Sequence, residues 1–163
     1  MQAHGFLDRP SEDVDLFTTV AAEQRFPDAL TAVIAAYEGD GLDVSVTATN
    51  PDFARLQVTD PPTHATAKVE LGIDWRAHPP VSLAIGPVLH PDDAVANKVC
   101  ALFARAQARD YIDVDAVLRS SRYTSDELLA LAKSHDPGFT ETMFVIALRA
   151  IQRLPQAEFT PTG

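Results

Sequence analysis

The hydrophobic period of this chain changes between its middle and its C-terminal half. Between Leu42 and Asp74 apolar side chains recur largely at every second position, and from Pro91 onward at every third or fourth. A period of two marks a pleated strand with one buried face, and a period near 3.6 marks a helix with one buried stripe. Leu42 to Thr47 alternates, Asn50-Pro51 turns the chain, Phe53 to Thr59 returns, and Asp60-Pro61-Pro62 turns it again before Ala65 to Asp74. Proline and asparagine at those joints favour tight turns, so the runs predict an antiparallel meander. In the third run Ala65, Ala67, Val69, Leu71 and Ile73 share one face, which leaves Lys68, Glu70 and Asp74 on the other.

The rest of the chain reads as helix around this meander. Met1 to Gly5 resembles the tail of a helix ended by Gly5, and Pro27 begins a helix with Leu30, Val33, Ile34 and Tyr37 on one side, stopped by Gly39-Asp40-Gly41. After the connection at His78-Pro79-Pro80 and a short apolar run from Val81 to Ile85, Pro91 suits a first helical position, with Asp92 and Asp93 complementing the helix dipole. Val95, Val99, Leu102, Phe103 and Ala106 form its predicted buried stripe, bordered by Lys98, Arg105 and Arg109. Asp110 to Leu118 either continues that helix or begins another, and in a continuous helix Asp113 would lie about 60° round from Lys98. Thr124 to Glu127 is a capping box for a further helix, ended by Asp136-Pro137-Gly138. A last helix from Glu141 to Leu154 has Phe144, Ile146, Leu148 and Ile151 as expected core. The expected organisation is a sheet domain over 1–90, a helical region over 91–155 and a tail over 156–163.

A chain of 163 residues can bury a real core. Its net charge of −10 argues against an extended basic surface for nucleic acid, whose binding is dominated by phosphate contacts. The single Cys100 excludes an intrachain disulfide, and with no signal peptide visible the cytoplasm is the expected compartment. The longest apolar run, Ala29 to Tyr37, is too short to span a bilayer, so no membrane partner is expected. Five scattered histidines and one cysteine give no ligand pair at a zinc-site spacing, and Cys100 falls near the apolar side of a helix, where cysteine acts as a small hydrophobe.

What remains is acidic and basic. In Ser11-Glu12-Asp13-Val14-Asp15-Leu16-Phe17 a strand would set Asp13 and Asp15 on one face, about 7 Å apart, a span that matches a pair of divalent ions roughly 4 Å apart. Taken alone, such an acidic pair is more readily a solvated strand edge. Lys68, Glu70 and Asp74 alone are more readily the solvent side of a sheet, and the line of Lys98, Arg105 and Arg109 reads equally well as a solvated helix border. Together, carboxylates for a metal and cations for phosphate are the constellation of nucleotidyl transfer.

Arg9-Pro10-Ser11-Glu12-Asp13-Val14-Asp15-Leu16-Phe17 resembles the Arg-x-Ser-x-Asp-hydrophobic-Asp-Leu-Phe motif of the AbiEii family, nucleotidyltransferase-like toxins of abortive-infection toxin–antitoxin systems. Lys98 through Asp113 resembles the family's second motif, Lys-x-x-Ala-Leu-x-x-Arg-x-x-x-Arg-Asp-x-x-Asp, and the two occur in family order. The resemblance implies an α/β (α+β) polymerase-beta-like nucleotidyltransferase fold, with a mixed, largely antiparallel sheet and a C-terminal helical region. It implies transfer of a nucleotide from an NTP with Mg²⁺ or Mn²⁺, to the 3′ end of tRNA in well-understood members, and an antitoxin as a partner. By motif, Asp13 and Asp15 would ligate metal, with Glu70 preferred to Asp74 as third ligand; Lys98 would contact phosphate beside an essential Asp113. Arg9, Ser11, Arg105 and Arg109 would contact phosphate or RNA. The family's Gly-Gly/Ser turn, which cradles the triphosphate, is not found ahead of Asp13. That departure implies either a start upstream of Met1 or a nucleotidyltransferase-fold protein that binds a nucleotide or a protein partner without catalysis.

Overall fold

The computed structural model describes residues 1–6, 13–18 and 26–159. Contacts between elements divide the chain into two compact units, Pro10–Trp75 and Met1–Arg9 with Arg76–Gly163.

Among the described residues the first unit is a four-stranded sheet with one helix. Its strands are β1 (Asp13–Thr18), β2 (Asp43–Asn50), β3 (Phe53–Thr59) and β4 (Thr66–Ile73), in the order β1-β4-β3-β2. Strands β2, β3 and β4 form the expected antiparallel meander, while β1 pairs with β4 in parallel, which makes the sheet mixed. Helix α1 (Phe26–Gly39) lies between β1 and β2 in sequence. The alternation in β3 and β4 becomes a core of Ala54, Leu56, Val58, Val69 and Leu71 with Phe26, against which Leu30, Val33, Ile34 and Tyr37 of α1 pack. Removing five such side chains and their helix partners from water drives this layer together, each worth about 1.5–3 kcal/mol for the larger ones. The polar face of the sheet is left for other use.

The second unit holds a hairpin and the helices. Its hairpin is β5 (Val81–Leu83) and β6 (Gly86–Val88), turned through Gly86 at φ 112°, a conformation that favours glycine. The helices are α2 (Pro91–Arg105), α3 (Ala108–Arg119), α4 (Ser125–His135) and α5 (Glu141–Arg149). Val95, Val99 and Leu102 of α2 pack with Tyr111, Val114 and Val117 of α3, Leu128 and Ala132 of α4, and Phe144 of α5. The short 3-10 turn Gln2–His4 belongs here too, since Phe6 joins this core and His4 Nε2 lies 2.7 Å from the Leu89 carbonyl oxygen.

Two expectations are corrected. The stripe drawn through Ala106 stops one residue early: Ala106 is left-handed at φ 48° and ends α2, and Gln107 caps the new helix α3. In the last helix Phe144 is buried, but Ile146, Leu148 and Ile151, expected in the core, are exposed. Period alone identifies an apolar stripe, and whether a neighbour covers it is decided by packing.

The capping box that opens α4 is formed as read. Thr124 Oγ1 accepts the Glu127 N–H at 3.3 Å, and Glu127 Oε2 accepts the Thr124 N–H at 2.7 Å. The backbone bond from Thr124, with its hydroxyl next, holds the Glu127 carboxyl below its ordinary value. A depressed carboxyl stabilises the fold above its unfolded pKa, and that contribution is lost as pH falls through the folded one. Glu127→Gln should therefore melt closer to the parent in acid than at neutral pH, as measured by thermal unfolding across that range.

Candidate functional site

The parallel register of β1 on β4 aligns Asp13 with Lys68 and Asp15 with Glu70, and the antiparallel register of β3 on β4 aligns Arg55 with Glu70. Side chains opposite one another in register share a face. The face away from α1 therefore presents Asp13, Asp15, Lys68, Glu70 and Arg55. Asp74 lies beyond the end of β4, where its N–H donates to the Thr18 carbonyl at 2.9 Å. Register thus groups Glu70, rather than Asp74, with the two aspartates.

Two basic side chains sit among these carboxylates. Lys68 Nζ is 2.9 Å from Asp13 Oδ2 and 3.4 Å from Glu70 Oε1, and Arg55 Nε donates to Glu70 Oε1 at 2.7 Å. The hydrogen bond from Lys68 to Asp13 raises the ammonium pKa against the opposing effect of desolvation, and the Glu70 charge adds to the rise. All four groups are partly exposed, and such pairs contribute only about 0–1 kcal/mol each. Moving the ammonium away from these carboxylates therefore costs little.

The second motif is built from the end of α2 and the start of α3. Lys98 Nζ of α2 meets Asp113 Oδ2 of α3 at 2.9 Å, with the Asp113 side chain 4% exposed and that of Lys98 33%. A break in the helix, not a continuous one, brings them together. At the break, Asp110 is fully buried and does two things. Its oxygens take a fork from Arg105, Nε at 3.1 and 3.0 Å and Nη2 at 2.7 Å, and Oδ2 also accepts the Gln107 N–H at 3.0 Å. The Asp110 hydrogen bond, opposed by desolvation, raises the Arg105 pKa. That fork occupies the Nε–Nη2 edge of the guanidinium, and the Arg105 side chain is still 42% exposed. Arg109 is exposed, with no ion pair among the described residues.

Residues 2–162 match the family described as nucleotidyl transferase AbiEii toxin of a type IV toxin–antitoxin system. This chain belongs to the AbiEii family. Among solved structures it is similar to JHP933 from Helicobacter pylori, at 17% identity and a TM-score of 0.53, covering 97% of this chain and 75% of that one. A second H. pylori structure, described as a candidate nucleotidyltransferase, matches at 17% identity and a TM-score of 0.53 over 97% of this chain and 77% of that one. At that identity the likeness establishes the fold alone, a mixed α/β arrangement consistent with the polymerase-beta-like nucleotidyltransferase fold. Comparison with curated protein sequences gave no significant match.

The AbiEii motifs can now be placed. Arg9 and Ser11 of the first lie outside the described residues, while Asp13 to Phe17 lie within β1. In the second, Leu102 is core, Arg105 and Asp110 lock the helix break, and Lys98 and Asp113 tie α2 to α3. Cys100 is half-buried and its thiol is pushed up to about 11 by burial, which suits packing and not attack.

One grouping escapes a search by sequence spacing. His78, His90 and Asp92 each offer a ligand atom, all within 4.8 Å of one another, and among the described residues they are the one such set of three. His78 and His90 are separated by the β5–β6 hairpin, so no short ligand motif marks them. Asp13, Asp15 and Glu70 are not gathered as closely. No described helix is long and apolar enough to cross a membrane.

Proposed function

We propose that this AbiEii chain transfers a nucleotide from an NTP to the 3′ end of tRNA, with Mg²⁺ or Mn²⁺ held by Asp13, Asp15 and Glu70. The observation that carries this reading is the β1–β4 register, which sets three carboxylates on one sheet face. Oxygen-only donors fit a hard ion such as Mg²⁺, and the weak pairs of Lys68 yield to one. Bound there, the ion supplies charge neutralisation to the transferring phosphoryl group. Lys98 offers its ammonium to phosphate, and the nearly buried Asp113 positions it. Exposed Arg109 and the partly exposed Arg105, with Arg9 and Ser11, contact phosphate or RNA backbone. Against a net charge of −10, RNA contact has to be local. An antitoxin is the expected partner, and the cytoplasm, where NTP and tRNA are found, the compartment.

The test is incubation with each radiolabelled NTP, total tRNA and Mg²⁺ or Mn²⁺. Label should enter tRNA with at least one NTP and disappear on chelation; no label with any NTP and either metal overturns the reading. A second reading is a nucleotidyltransferase-fold protein that binds a nucleotide or a protein without catalysis. Lys68 and Arg55, which neutralise Asp13 and Glu70, favour it. Calorimetric binding of NTP with Mg²⁺ but no labelling would select it.

A further inference from the structure

We propose that His78, His90 and Asp92 form a site for a divalent transition metal, of which zinc suits the ligands best, that ties the connection ahead of the hairpin to the start of α2. All three lie in the helical unit. The site is separate in residues and chemistry from the all-oxygen sheet carboxylates. Two imidazoles and one carboxylate favour zinc or its neighbours over Mg²⁺, which prefers oxygen.

His78 and His90 stack with centroids 4.4 Å apart and planes 24° from parallel, so one ring has to turn before both in-plane lone pairs meet at a single ion, while a ligand atom of each already lies within 4.8 Å of the other and of Asp92. Two of the ligands, His78 and Asp92, are held from behind. Asp93, which is buried, accepts the N–H groups of Ala77 at 3.0 Å and His78 at 3.0 Å, anchoring the backbone that carries His78. His78 Nδ1 is buried without a hydrogen-bond partner and lies 3.5 Å from Asp93 Oδ1. A metal on His78 Nε2 would place the ring proton on Nδ1, facing that carboxylate, an arrangement that fixes the tautomer of metal-binding histidines. Asp92 is held by the Tyr123 hydroxyl, which donates to Oδ1 at 2.6 Å, while Oδ2 lies 3.7 Å from His90 Nδ1.

His90 is the ligand that must change. Its one lone pair accepts the Asp92 N–H at 3.2 Å and so caps α2. A metal takes that lone pair and leaves the N–H to water. The positive helix end opposes a cation, but Asp92 and Asp93 in the first turn offset it. With three protein ligands, at least one position stays open for water or another group.

The test uses the full chain with Mg²⁺ in excess to fill the carboxylate face, titrated with Zn²⁺ in a calorimeter. One equivalent should bind. His78→Ala, and His90→Asn, which keeps a capping side chain, should each weaken binding at least about tenfold, and Tyr123→Phe roughly tenfold as an outer partner. The Asp13→Ala/Asp15→Ala double variant should bind Zn²⁺ as the parent does. Absence of Zn²⁺ binding overturns the proposal, as does binding unchanged in His78→Ala or binding lost only in the double aspartate variant. Zn²⁺ should also raise the melting temperature of the parent and not that of His78→Ala, because a ligand that binds only the folded state stabilises it.

Discussion

Replacing Asp13 and Asp15 together by alanine should lower nucleotide transfer by at least roughly 1000-fold while the protein still folds. Losing one fixed group that stabilises charge in a transition state typically costs about 100- to 1000-fold, and here both aspartates of the proposed metal set are removed. Stability should change little. The Asp13 side chain is 33% exposed and its lysine partner 40%, so their pair is weak in solvent. The core beneath, Val69, Leu71, Leu56 and Ala54, lies on the other face of the sheet and keeps its contacts. The measurement is the labelling assay beside thermal unfolding. Labelling at the parental rate would remove these residues from the reaction. A melting temperature that fell as far as the activity did would make them structural.

Asp110→Ala should do the opposite, acting on the fold first. Asp110 is the one acid at which the helix break is both capped and neutralised. Its loss removes the bond to the Gln107 N–H, worth about 1 kcal/mol as a cap, and the fork to Arg105, worth about 1.5–3 kcal/mol as a charge-assisted bond in a protected setting. Arg105 is 42% exposed and can turn to water, which limits the damage. A net loss of about 2–3 kcal/mol follows, roughly 4–12 °C in melting temperature for a chain of this size. Asp110→Asn should recover part of the cap but not the charge. If Asp110→Ala melted with the parent and lost activity alone, Asp110 would belong with the reacting groups. The released Arg105 makes a second readout: RNA binding in the variant should not weaken through loss of charge, because the guanidinium remains.

Much of the fold was legible because two periods separate cleanly in this chain. Val69 and Leu71 alternate with Lys68 and Glu70, and no register that buries the former also buries the latter. Caps were legible for the same local reason, since Thr124 and Glu127 need only each other. Where a reading needed a partner from elsewhere, it failed or stayed open. By helical period Leu148 and Ile151 fall on the face of the buried Phe144 and Ile146 falls opposite, yet all three remain exposed, because a period does not specify its cover. His78, His90 and Asp92 gave no signal, since the hairpin that joins them is silent about ligands.

Asp13 and Asp15 were on one side of a strand by sequence alone, because side chains alternate along any strand. Lys98 and Asp113 were two members of one motif. Only the tertiary structure set Asp15 beside Glu70, through the parallel pairing of β1 with β4, and broke the helix at Ala106 so that Lys98 meets Asp113. Local periodicity orients a side chain on its own element. Which charges become neighbours depends on register and on helix packing, and these are decided by burying apolar faces many residues away.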